Sequence, residues 1–260
     1  MSGRELVRIA GTVPDAVPQR AARAGARVAA LGVATVGTAS RLLRLRSTSA
    51  SDAAHERALV LRDASRRALE LHGVAVEQTG PLPLGPALLA SNHVSWLDPL
   101  VIASLLPCVP ISKLDVARWP VIGALARELG VIFVSRGDAR SGVRVLNAAG
   151  ESLARGVSVL NFPEGTTTEG TTVLPFRPGL FGVAVRLRIP VVPVAIRYDP
   201  ASLAWVGDAP FLPHYLTLAG RRQTRAFVGV GTRILPGPAA GASDLARAAH
   251  VAVTGLLQEI

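Results

Sequence analysis

The chain is short of cysteine, lysine and aromatic residues, and each shortage excludes a class of function. Its 260 residues include a single cysteine, Cys108. That rules out an internal disulfide and a Cys-rich metal centre. Cys108 lies in the apolar run Leu105-Leu-Pro-Cys-Val109 and reads as a small buried hydrophobe. Lys113 is the only lysine among 28 basic residues, so arginine carries nearly all the positive charge. Aromatics make up 4% of the chain, and the arginines are scattered rather than interleaved with stacking rings. Both features argue against nucleic acid as a partner. His55, His72, His214 and His250 lack metal-ligand spacing, and no metal is expected. His55 and His72 fall on a predicted helix and are expected to be solvated. No Gly-x-Ser-x-Gly elbow supports a serine nucleophile. Rossmann and Walker glycine loops are absent as well. Residues 1–24 are polar and dotted with arginine, unlike a secretory signal.

What is present is a basic, largely apolar chain. Net charge is +10 and 49% of residues are hydrophobic, enough for one large core. The excess of arginine attracts anions: lipid head groups, phosphate-bearing small molecules or an acidic protein. Apolar runs and helical patterns alternate. The patterning predicts helices at 53–72, 99–106, 121–129, 141–155, 180–187 and 242–257. Strands are predicted at 74–78, 87–90, 109–111, 131–135, 157–162, 191–197 and 225–230. Such alternation implies an α/β fold with a mixed, largely parallel central sheet flanked by helices. Residues 1–48 stand apart as a basic amphipathic segment, with 49–260 as the main domain. Val28 to Ala39 is uncharged between Arg27 and Arg41, but well short of the ~20 residues a spanning helix needs. Leu42, Leu43 and Leu45 then alternate with Arg41, Arg44 and Arg46. That pattern suits a helix in the membrane interface, or an amphipathic helix packed on the domain. Residues 47–52 read as a linker.

The chemistry concentrates in Ser91-Asn-His-Val-Ser-Trp-Leu-Asp-Pro99. His93 and Asp98 sit on a turn between an apolar run and a predicted helix. Pro99 suits the first helical position, which places Asp98 at or near the N-cap. A short loop folds the imidazole back onto the carboxylate. The carboxylate then holds one ring nitrogen protonated and leaves the other to accept a proton. Alone, this spacing arises often by chance, as a capping Asp near a surface His. A second segment, Phe162-Pro-Glu-Gly-Thr166, ends an apolar run in a tight polar turn. It places the Glu164 carboxylate at a strand end, where loops carry chemistry.

Together these segments resemble the PlsC-type glycerolipid acyltransferase family. Asn92, His93 and Asp98 match its Asn-His-x4-Asp block. Gly130-Val-Ile-Phe-Val-Ser-Arg136 resembles a second block, Phe162 to Thr166 a third, and Ile189-Pro-Val-Val-Pro-Val-Ala-Ile196 a fourth. Phe176-Arg177-Pro178-Gly179 is similar to the family's Phe-Lys-x-Gly segment. The blocks occur in family order. One position departs: phosphatidate-forming members carry Arg after Glu-Gly-Thr, and here it is Thr167. An arginine fork clamps phosphate bidentately, which threonine cannot do. The Glu-Gly-Thr-Thr loop resembles instead the lyso-ornithine lipid acyltransferases, as does Trp205-Val-Gly-Asp-Ala-Pro-Phe-Leu-Pro-His214.

The resemblance implies acyl transfer from acyl-CoA or acyl carrier protein to a lysolipid hydroxyl. The acceptor is of the 1-acylglycerol-3-phosphate type or, alternatively, lyso-ornithine lipid. It implies His93 and Asp98 as the catalytic pair and Glu164 orienting the acceptor or its loop. Asn92, Gly165 and Thr166 would line the substrate site. Arg136 and Arg177 would meet head-group or donor phosphates. Backbone N–H groups near the two motifs would stabilise the oxyanion. No cofactor is expected, because a thioester is already activated. The location implied is peripheral or monotopic, on the anionic cytoplasmic face of a bacterial inner membrane. A catalytically silent lipid-binding protein is the contrasting reading, and the intact His93, Asp98 and Glu164 argue against it.

Overall fold

The computed structural model describes residues 16–45, 50–135, 137–207 and 209–260. The order of elements is α1 (Val17–Arg44), α2 (Ala50–Leu71), β1 (Val74–Thr79), β2 (Leu88–Ser91), α3 (Asp98–Leu105) and β3 (Cys108–Lys113). There follow α4 (Ile122–Glu128), β4 (Ile132–Val134), α5 (Ala139–Ala154), β5 (Ser158–Asn161) and α6 (Gly179–Leu187). The chain ends with β6 (Val191–Asp199), α7 (Phe211–Gly220), β7 (Thr224–Val230) and α8 (Ala242–Glu259).

The strands form one seven-stranded sheet in the order β1-β7-β6-β2-β5-β3-β4. Every neighbouring pair is parallel except β6 and β7. The sheet is thus mixed and largely parallel, as the alternation predicts. Central strands β2 and β5 are buried at every position, because helices cover both faces. Successive residues of a strand point to opposite faces. Leu89, Leu160 and Val192 accordingly share a cluster with Leu61, Leu69, Val101 and Ile102 of α2 and α3. Leu88, Val159 and Val191 pack instead with Val145, Phe181 and Ala249 of α5, α6 and α8. Cys108 is fully buried, and burial pushes its thiol pKa up to about 12. It is the inert small hydrophobe its neighbours suggested.

Four local differences from the sequence reading have physical causes. Helix α7 lies where no helix was predicted. Pro213 hid it, yet this proline sits in the first turn, where a missing N–H costs nothing. Helix α1 starts at Val17, well before the uncharged stretch, with proline again in its first turn. The predicted linker gives way at its end, since Ala50–Leu71 is helical; residues 46–49 lie outside the described residues. His72 is not solvated. It is 5% exposed, and its Nδ1–H donates to the Ala68 carbonyl while Nε2 accepts from the Tyr215 hydroxyl.

Helix α1 is tied to the domain at the C-terminal end of α7. Arg23 donates to the Gly220 carbonyl at 2.7 Å, and Arg27 to those of Ala219 and Arg221 at 3.0 and 2.5 Å. These carbonyls lack partners inside the helix and carry its negative dipole end. The opposite side of α1 stays open: Val33 and Val36 are 75% and 67% exposed. Among the described residues, no helix is long and apolar enough to cross a membrane.

Candidate active site

Strands β2 and β5 are adjacent and parallel, paired from Leu88 with Val159 to Ala90 with Asn161. Their loops therefore leave the same edge of the sheet, the carboxyl end where open α/β sheets bind ligands. This brings the His93 and Glu164 segments together although they are far apart in sequence.

His93 and Asp98 form the expected pair. Nδ1 of His93 lies 2.7 Å from Oδ2 of Asp98. A carboxylate at that distance fixes the proton on Nδ1 and leaves Nε2 as the basic nitrogen. The Asp98 side chain is 0% exposed and that of His93 is 17% exposed. Asp98 is the first residue of α3 rather than its N-cap, which is Leu97 and makes no side-chain cap bond. Its Oδ2 turns back to accept the N–H groups of Val94 and Ser95, at 2.6 and 2.9 Å. The carboxylate thus folds its own loop around the imidazole. Phe162 stacks on the His93 ring at a centroid distance of 4.1 Å. Tyr198, at the end of β6, donates its hydroxyl to Oδ1 of Asp98 at 2.6 Å. No motif marked Tyr198, because β6 must run past β2 to bring it there.

Asn92, expected to line the substrate site, and Glu164, expected to orient the acceptor or its loop, both make backbone contacts. Asn92 is 1% exposed. Its amide donates to the carbonyl of Ile196 and accepts that residue's N–H, at 3.0 and 2.8 Å. It carries the β2–β6 pairing past the end of β2. Glu164 is 3% exposed. One carboxylate oxygen accepts the His93 N–H at 2.7 Å and the other the Leu174 N–H at 2.9 Å. Burial raises its pKa, and the two N–H bonds oppose that rise. Glu164 therefore holds the loop that carries His93. Thr168, which no motif singled out, adds a second tie by donating its N–H to the His93 carbonyl at 2.8 Å.

Gly165 has φ +74°, a left-handed turn that glycine adopts without strain. The Arg177 guanidinium lies 3.0 Å from where a side chain at this position would begin. Arg177 is exposed, and no ion pair holds it among the described residues. Thr166 is exposed. Arg136 lies outside the described residues. The N–H groups of His93, Val94 and Ser95 all point at carboxylates, which removes them as oxyanion donors. Those of Thr166 and Thr167 have no hydrogen-bond partner among the described residues.

A cavity of about 860 Å³ meets this site, lined by His93, Gly165, Thr167 and Arg177. Leu97, Leu100, Leu125 and Leu146 supply apolar walls. Lys113, Asp115 and Asp138 add charge of both signs. Trp205 and His214 both contact the loop that carries His93. The Trp205 N–H donates to the Val94 carbonyl at 2.8 Å, and Trp96 Nε1–H to Nδ1 of His214 at 2.9 Å.

Residues 73–197, which hold His93, Asp98, Glu164 and Arg177, match the protein-family model described as Acyltransferase. A lyso-ornithine lipid O-acyltransferase from Pseudomonas aeruginosa is 36% identical over 68% of this chain and 70% of that protein. The chain belongs to the acyltransferase family. Two further alignments span about half of each relative. One is a lyso-ornithine lipid O-acyltransferase from Rhizobium meliloti, 38% identical over 50% of this chain and 51% of its own length. The other is a 1-acyl-sn-glycerol-3-phosphate acyltransferase from Neisseria gonorrhoeae, 36% identical over 50% and 52%. The fold of this chain is that of the crystal structure of PlsC from Thermotoga maritima. The TM-score is 0.71 at 20% identity, over 93% of this chain and 96% of that one.

Proposed function

We propose that this acyltransferase moves a fatty acyl group from a thioester to the hydroxyl of a lysolipid, with lyso-ornithine lipid as the acceptor. The observation that carries the reaction is the His93–Asp98 pair at 2.7 Å, facing a largely apolar cavity. Nε2 of His93 takes the acceptor hydroxyl proton. The oxygen attacks the thioester carbonyl carbon, and the N–H groups of Thr166 and Thr167 support the resulting oxyanion. The carbon–sulfur bond breaks, and the imidazolium returns its proton to the departing sulfur. Acyl-CoA or acyl carrier protein serves as donor.

Two observations favour the amino-acid head group. Thr167 stands beside the catalytic loop where a phosphate clamp would need a cation. The cavity lining also holds charge of both signs, with Lys113 and Arg177 and with Asp115 and Asp138, which pair with Arg118 and Arg144; a zwitterionic head group suits such a lining. The exposed Arg177 sustains 1-acylglycerol-3-phosphate as the second reading. The open apolar side of α1 supports residence on one leaflet of an anionic membrane.

Competition between the two lysolipids for one labelled acyl thioester decides the acceptor. The ornithine product should dominate. Thr167→Arg should then move the product ratio toward phosphatidate by about tenfold or more, since a charge-assisted bond contributes roughly 1.5–3 kcal/mol. Dominant phosphatidate from the unmodified enzyme would contradict the ornithine reading.

A further inference from the structure

We propose that Tyr198 is a positioning residue for acyl transfer, fixing the Asp98 carboxylate in the orientation that holds the His93 imidazole. The inference rests on the reading of His93 as the general base. Oδ2 of Asp98 is crowded with three donors: His93 Nδ1, the Val94 N–H and the Ser95 N–H. Among the described residues, Oδ1 has one, the Tyr198 hydroxyl at 2.6 Å. Asp98 is 0% exposed, so water cannot replace a lost partner. The terminal torsion of an aspartate is broad. Anchoring one oxygen leaves the carboxylate plane free to swing about it, whereas anchoring both fixes the plane.

Tyr198 is suited to the task. It is 3% exposed and keeps its proton: burial first, then the Asp98 charge and bond, push its pKa well above the ordinary value. It is therefore a permanent donor to Asp98. Its placement is set from the same motif loop. Asn92 clamps the N–H and carbonyl of Ile196, and Ile196 and Tyr198 share one face of β6 by the two-residue period. Both belong to the same core cluster. The loop thus grips β6 at two points, and β6 in turn supplies the fourth donor to Asp98.

Tyr198→Phe keeps the ring and removes the donor. Steady-state kinetics should show kcat down by about tenfold to a hundredfold, the range of one charge-assisted hydrogen bond. KM for donor and acceptor should stay within about twofold. A merely structural residue would lower the yield of folded enzyme and leave kcat per folded molecule alone. In an Asp98→Asn background, Tyr198→Phe should cost less than about twofold, since its action runs through the carboxylate. Unchanged kcat in Tyr198→Phe, or an equal loss in both backgrounds, overturns the proposal. Should Tyr198→Phe fail to fold, the unmodified enzyme carries the test. A slowly exchanging hydroxyl proton, far downfield in its proton NMR spectrum and shifted by Asp98→Asn, supports the bond; absence of that resonance overturns it. His93→Ala run alongside separates the two failures. Activity there sinks the general-base reading itself, whereas an inactive His93→Ala with a fully active Tyr198→Phe sinks only this inference.

Discussion

Glu164 is a motif residue whose contacts are with the backbone of its own site. Both of its oxygens are bound by backbone N–H groups, one of them that of His93. Glu164→Gln preserves shape but turns one oxygen into a donor facing a donor. A buried polar group left unsatisfied costs about 1–3 kcal/mol. Urea unfolding should show a loss in that range, with kcat falling in parallel; wild-type stability and turnover would contradict the loop-holding role. His72 and His214 make a second residue-level case. Burial first lowers the pKa of each below the ordinary imidazole value. The folded state therefore prefers both rings neutral, while the unfolded chain protonates them at their usual pKa. Their contribution is fully present above the unfolded pKa and declines as pH falls below it. The melting temperature should drop between about pH 7 and 5, and His72→Leu should flatten part of that slope. A melting temperature level across that interval would oppose the assignment.

Among the elements, α1 combines two surfaces. One holds Arg23 and Arg27 on the carbonyls that end α7. The other shows Val33 and Val36 to solvent. If that second surface meets lipid, Val33→Asp with Val36→Asp should weaken co-sedimentation with anionic vesicles while the melting temperature holds. Undiminished binding would show that lipid contact lies elsewhere. The elements also show what the sequence made legible. The strands read well because each apolar run was bounded by Gly, Pro or polar residues, and the parallel sheet follows from their alternation with helices. The proximity of His93 and Asp98 read well because their spacing is local and the loop is short. Helix α7 did not, because its proline looks like a breaker until its place in the first turn is known. Tyr198 and the true partners of Asn92 did not, because both depend on β6 lying beside β2, with about one hundred residues between the partners. Long-range register leaves no mark in a local pattern.

At the scale of the whole molecule, the sheet gathers loops from β2 and β5 and the end of β6 at one edge, and the cavity opens there. Seven largely parallel strands are the frame that keeps His93, Asp98 and Tyr198 in contact. The net charge of +10 draws the molecule toward anionic surfaces and anionic donors. The central claim is that this edge performs acyl transfer with His93 as the base. The most direct measurement incubates purified protein with a labelled acyl thioester and a lysolipid, and follows the acylated lipid for wild type and His93→Ala. The account predicts acylated product from the wild type and a loss of about 10²–10⁴-fold in His93→Ala, with the variant still folded. Near-equal rates from the two proteins would contradict it.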